Sequence, residues 1–260
     1  ELSKSRSIKI QSIVTEQQLK AYRDYINFIT KDSPHVESIV EDLRSGLALI
    51  HYMENVTGKK VKKYNKNPKT DIQNRDNVEI ALKFMKEQGV DVCLVTQDIF
   101  DHNEKQIMKL ISTLVKKYHF RNPNISVTSF NKWLSRVLER PVDIIDEFTK
   151  PEFWADLINY LRTDTVLKSE FSDGMSATNM EYCFREANET LGIPRFIDPK
   201  DAVEGLVDGD VLAMYLVFFA QQDKSIKDDD EIFSVQAYPQ VSVSPINPRN
   251  SMRFKSNPIT

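Results

Sequence analysis

The strongest constraint on the fold is an internal repeat. Residues 77–115 recur, with small offsets, at residues 179–219, a period of roughly 100 residues. Asn77-Val78-Glu79 aligns with Asn179-Met180-Glu181, each opening an amphipathic stretch, and Gly89-Val90-Asp91 aligns with Gly192-Ile193-Pro194 in the loop beyond it. Asp98-Ile99 aligns with Asp201-Ala202, and each copy closes on a long apolar-striped segment, residues 104–120 and 209–221. Upstream, Tyr22-x-x-Tyr25-Ile26 corresponds to Phe130-x-x-Trp133-Leu134 and would open each copy with its first helix. The 260 residues suffice for two such units, each able to bury its own core.

The apolar spacing is helical. Met180, Phe184, Ala187 and Leu191 fall at i, i+4, i+7 and i+11, and Leu43, Leu47, Ile50 and Met53 at i, i+4, i+7 and i+10. No stretch before residue 235 alternates as a strand does, so the expected class is all-α, two helical domains in tandem. Pro123 in Arg121-Asn122-Pro123-Asn124 forbids helix continuation and marks the join. The expected division is an extension at 1–14, a first domain at 15–120, a linker at 121–127, a second domain at 128–222, and an acidic run with a Pro-containing tail at 223–260. The tail reads as extended or disordered.

Composition narrows the function. No apolar run approaches the roughly 20 residues that span a bilayer, and residues 1–10 lack the apolar stretch of a secretory signal. Cys93 and Cys183 each sit among apolar neighbours and read as buried free thiols, which fits the cytoplasm. A net charge of -3 gives no whole-chain argument for nucleic acid. His35, His51, His102 and His119 lie in no metal-ligand spacing, and seven glycines form no phosphate-cradling loop. The acid-rich stretch 198–210 lacks the ligand spacing of a calcium loop and reads as solvated. The expectation is therefore no enzyme, no cofactor and no metal.

Four blocks then match one family in order: Asp42-Leu43-Arg44-Ser45-Gly46-Leu47-Ala48-Leu49-Ile50; Thr57-Gly58-Lys59-Lys60; Asn77-Val78-x-x-Ala81-Leu82-x-Phe84; and Gln97-Asp98-Ile99-x-Asp101-x-Asn103-x-Lys105. The first copy resembles a calponin-homology domain. The second keeps Trp133, the Asn179 helix opening, Leu191-Gly192-Ile193-Pro194 and Asp198-x-x-Asp201, and resembles the second domain of tandem pairs. It departs at Trp154-Ala155-Asp156-Leu157, where the family's glycine is missing, and Tyr25 stands where most relatives have tryptophan. The order is similar to the actin-binding regions of α-actinin, filamin, spectrin and fimbrin. The resemblance implies a cytoplasmic, cytoskeletal protein whose partner is filamentous actin, with oligomerisation through regions outside this chain. The competing implication is an adaptor that binds helical peptide motifs or microtubules.

The resemblance places actin contacts on the first domain's first and last helices and the second domain's first helix. On a helical wheel of the last helix, Ile107, Leu110, Ile111, Leu114, Val115 and Tyr118 share one face, while Lys105, Lys109, Ser112 and Lys116 lie opposite. The candidates there are Lys105, Lys109, Ser112, Thr113, Lys116 and Lys117. Gln18, Lys20 and Arg23 are the candidates on the first helix, and Asn131, Lys132 and Arg136 those on the second domain's first helix. A second basic run, from Lys59 to Lys69, contains no acid, and such a surface would steer the chain to an acidic filament. The equivalent last helix of the second copy is apolar on nearly every side, which predicts burial. In many relatives an aromatic at the position of Ser112 latches the two domains; a serine there predicts looser closure, with Ser112→Trp tightening it.

Overall fold

The computed structural model describes residues 2–120 and 125–226, and side chains from residue 15 onward. Residues 121–124 of the expected linker and 227–260 of the expected tail lie outside the described residues. The architecture is all-helical, with no strand among the described residues. In chain order the helices are α1 (Leu2–Thr30), α2 (Ile39–Asp42), α3 (Leu47–Thr57), α4 (Asp71–Glu87), α5 (Thr96–Phe100) and α6 (Glu104–Tyr118). There follow α7 (Asn131–Val137), α8 (Ile144–Glu147), α9 (Pro151–Leu161), α10 (Ser176–Leu191), α11 (Pro199–Val203) and α12 (Gly209–Ala220).

The two aligned asparagines share a local chemistry. The buried Asn77 accepts the Asn65 N–H and donates to the Asn65 and Ser45 carbonyls, tying the loop before α4 to that helix. Its counterpart Asn179 accepts the Ser172 N–H and donates to the Ser172 carbonyl, doing the same for α10. Asn103 caps α6 and Asp208 caps α12 through side-chain oxygens that accept first-turn N–H groups. The missing glycine at Leu157 does not prevent α9: Pro151 starts it, and the fully buried Trp154 donates to the Phe148 carbonyl at 2.8 Å.

One expectation changes. The backbone runs as one helix from Leu2 to Thr30, continuous through the boundary expected between residues 14 and 15. No proline or glycine interrupts that stretch. The opening helix of the second copy lies within the expected stretch: a 3₁₀ turn, Val127–Phe130, leads into the seven-residue α7. Tyr25 replaces the larger aromatic without loss of burial, at 1 % exposure, and its hydroxyl lies 3.1 Å from that of Tyr52.

Helix α12 is buried at every position from Val211 to Ala220. Tyr215 and Phe219 turn to Trp154, with ring centroids 5.4 and 5.3 Å away, while Phe218 turns to the first repeat, 5.5 Å from Phe28 and 4.3 Å from the His119 ring. Phe196 completes this aromatic seam against Tyr25, Phe28 and Phe218. Gln18 meets Asp208 at one end of the contact, and Phe28 meets Phe218 ten residues further along both chains. Helices α1 and α12 therefore run in the same direction.

Candidate interaction surface

The charges of the two copies differ before any contact is considered. Residues 15–120 carry 17 Lys and Arg against 15 Asp and Glu, whereas residues 128–222 carry nine against 17. The second copy is thus the acidic one, and its acid-rich stretch is turned toward the first.

This contact corrects the reading of residues 198–210 as a merely solvated loop. Asp210 Oδ2 accepts the Ser112 hydroxyl at 2.9 Å and lies 3.1 Å from Lys116 Nζ. Asp208 Oδ1 accepts from the Gln18 side chain at 3.1 Å, and Asp198 lies 3.7 Å from Lys20 Nζ. Burial raises the Asp208 carboxyl above its ordinary range, and the Asp210 charge adds to it. Burial likewise raises the Tyr22 hydroxyl, again with Asp210 contributing.

The candidate residues therefore separate into groups. Lys105 and Lys109 are exposed on α6. Ser112 and Lys116, on the same face, are half-buried against the N-terminus of α12, so only part of the lysine stripe is solvated. Thr113 bonds back to the Lys109 carbonyl within its own helix, and Lys117 donates to the Gly89 carbonyl at 2.9 Å. On α1, Gln18 and Lys20 face the second copy, while Arg23 is held by its neighbour Asp24. On α7, Asn131 orders the start of α8 by accepting the Ile144 N–H, Lys132 is exposed, and Arg136 lies 3.8 Å from the buried Asp223. Asp223 in turn accepts the Trp133 indole N–H at 2.9 Å.

Of the loop lysines, Lys59 shares a turn with Lys117 near the end of α6. Lys59 donates to the Gln88 side chain and Lys117 to the adjacent Gly89 carbonyl, so both cations sit on the turn that ends α4. Sequence spacing treats these segments as unrelated. The shared turn becomes visible only in three dimensions.

Cys183 is buried, with burial pushing its thiol up to about 12, whereas Cys93 is only half-buried, against the expectation. Among the described residues, no group of three His, Cys, Asp or Glu side chains could hold a metal ion, and no helix is long and apolar enough to cross a membrane.

The described residues thus form an all-helical fold that carries exposed lysines on α6. Residues 16–120 match the family model described as the Calponin homology (CH) domain. The chain is 27% identical over 188 residues to "Alpha-actinin-like protein 1" of Schizosaccharomyces pombe, covering 67% of this chain and 30% of that protein. It is 28% identical over 221 residues to "Cortexillin-2" of Heterostelium pallidum, covering 78% and 48% respectively. Against "Alpha-actinin-4" of Gallus gallus it is 25% identical over 209 residues, covering 76% and 23%. The chain thus spans between about a quarter and a half of the length of these relatives.

Proposed function

We propose that residues 15–120 and 128–222 are tandem calponin-homology domains that bind actin filaments, with the first domain supplying the contact. The observation that carries this reading is the exposed pair Lys105 and Lys109 on α6, within the segment that matches the calponin homology domain. The charge asymmetry supports it, because the acidic second copy would be repelled by an acidic filament. The proposed setting is the cytoskeleton, as the actin-binding part of a cross-linking protein. A single filament site per chain cross-links only when copies associate through regions beyond this sequence.

Sedimentation with actin filaments and, separately, with microtubules tests the reading. The chain is expected to pellet with actin, and Lys105→Glu with Lys109→Glu is expected to weaken that binding with the helical content unchanged. Lys116 is the wrong residue for this purpose, because reversing its charge also breaks the pair with Asp210. Pelleting with microtubules but not with actin would transfer the chain to the adaptor class.

A further inference from the structure

The loop between α3 and α4 carries Lys59, Lys60, Lys62, Lys63, Lys66 and Lys69, all exposed. No acid occurs from Thr57 to Thr70. A lysine-rich segment without regular structure ordinarily loses conformational freedom when it docks, which reduces affinity. Here the backbone is already fixed. The Val61 N–H donates to Glu54 Oε1 at 2.9 Å, and the Asn65 N–H donates to Asn77 Oδ1 at 2.8 Å. Asn77, with no exposed surface, returns a bond to the Asn65 carbonyl at 2.9 Å, and the Tyr64 hydroxyl lies 3.3 Å from His51 Nε2.

Two of the six cations are committed locally, Lys60 to Glu54 at 2.9 Å and Lys59 to Gln88 at 2.7 Å. The side chains of Lys62, Lys63, Lys66 and Lys69 make no hydrogen bond or ion pair with a described residue. Elsewhere on the first repeat, Gln18, Lys20, Ser112 and Lys116 are engaged by the second. Among the described residues, the longest run of uncommitted lysines is therefore this loop.

We propose that the loop at 59–69 is where the chain first meets an actin filament, before any separation of the repeats; this rests on the actin-binding reading above. Ammonium groups held by a rigid backbone present a fixed field to an acidic surface and raise the association rate, an effect that salt screens.

The test uses the whole chain with Lys62→Glu, Lys66→Glu and Lys69→Glu combined, a matching set of Lys→Gln changes, and Lys105→Glu with Lys109→Glu for comparison. Association with actin filaments is followed by stopped flow at several salt concentrations, and flotation with phosphatidylserine vesicles is measured in parallel. The loop Glu variant is expected to associate about tenfold more slowly and with a flatter salt dependence. The Gln variant should fall between it and wild type, and the melting temperature should not change. Filament association as fast as wild type overturns the inference, as does loss of vesicle flotation with filament association untouched, which would make the loop a lipid-facing surface. A wild-type chain that fails to pellet with filaments overturns the actin reading itself, and the inference with it.

Discussion

The hydroxyl of Ser112 on α6 donates to the carboxylate of Asp210 in the first turn of α12, 2.9 Å away, across the contact between the two repeats. The small side chain that suggested loose closure is itself part of the closure. Ser112 is half-buried against the first turn of α12, so Ser112→Trp is expected to push α6 and α12 apart, the reverse of the expectation drawn from resemblance. Fluorescence transfer between labels on the two repeats should report a longer distance. Ser112→Ala should cost about 1 kcal/mol, the net value of one hydrogen bond. An equal or shorter distance in the Trp variant would restore the latch account.

Phe218 is 4 % exposed and lies against Phe28, Phe196 and His119. Phe218→Ala should lower the stability measured by urea unfolding by about 3 kcal/mol, as truncations of buried aromatics do. The repeats should also separate while α12 stays folded, because Tyr215 and Phe219 still hold it to Trp154. A loss below about 1 kcal/mol would mean that the seam contributes little.

Asp208 gives the contact a defined pH response. Its carboxyl is raised in the folded chain, chiefly by burial, so the native state binds the proton more tightly than the unfolded chain does. That contribution to stability is fully present below the ordinary carboxylate value and is lost as the pH rises through the raised native value. Asp208→Asn keeps an oxygen for the α12 cap and for Gln18 but removes the charge. The variant should melt higher than wild type at pH 7, with the difference shrinking toward pH 4. A constant difference across that range would rule out this linkage.

Gly46 lies at φ 71°, and a Cβ there would come within 2.7 Å of the Asn77 backbone carbon, the Asn77 Cβ and the Val78 nitrogen. Gly46→Ala should therefore destabilise the chain by about 2 kcal/mol or more. Amide exchange should accelerate at Asn65, whose N–H is held by Asn77. Protection at Asn65 equal to wild type would show that the clamp tolerates the clash.

The helical class and the boundaries of α6 and α12 were legible in the spacing of apolar residues, and the all-round apolar character of α12 correctly implied burial. The matched Asn77 and Asn179 were visible as letters; their common role, holding the preceding loop, became clear only in three dimensions. The division of the lysine stripe was not legible. A helical wheel gives the angle around an axis and discards position along it, so Lys109 and Lys116 look equivalent although only the latter meets Asp210. Gln18 and Asp208 are 190 positions apart, and no local pattern in an acidic stretch reveals whether water or another helix faces it.

The parallel course of α1 and α12 has a mechanical meaning. A pull applied through the chain before α1 and after α12 acts at opposite ends of the aligned pair. It slides one helix along the other, loading the contacts from Gln18–Asp208 to Phe28–Phe218 together. The same contacts in an antiparallel pair would open one at a time, like a zip. Ten residues of helix at about 1.5 Å each put roughly 15 Å of interface under shear at once, so the two repeats stay joined under tension along the chain while remaining easier to part by a sideways tug.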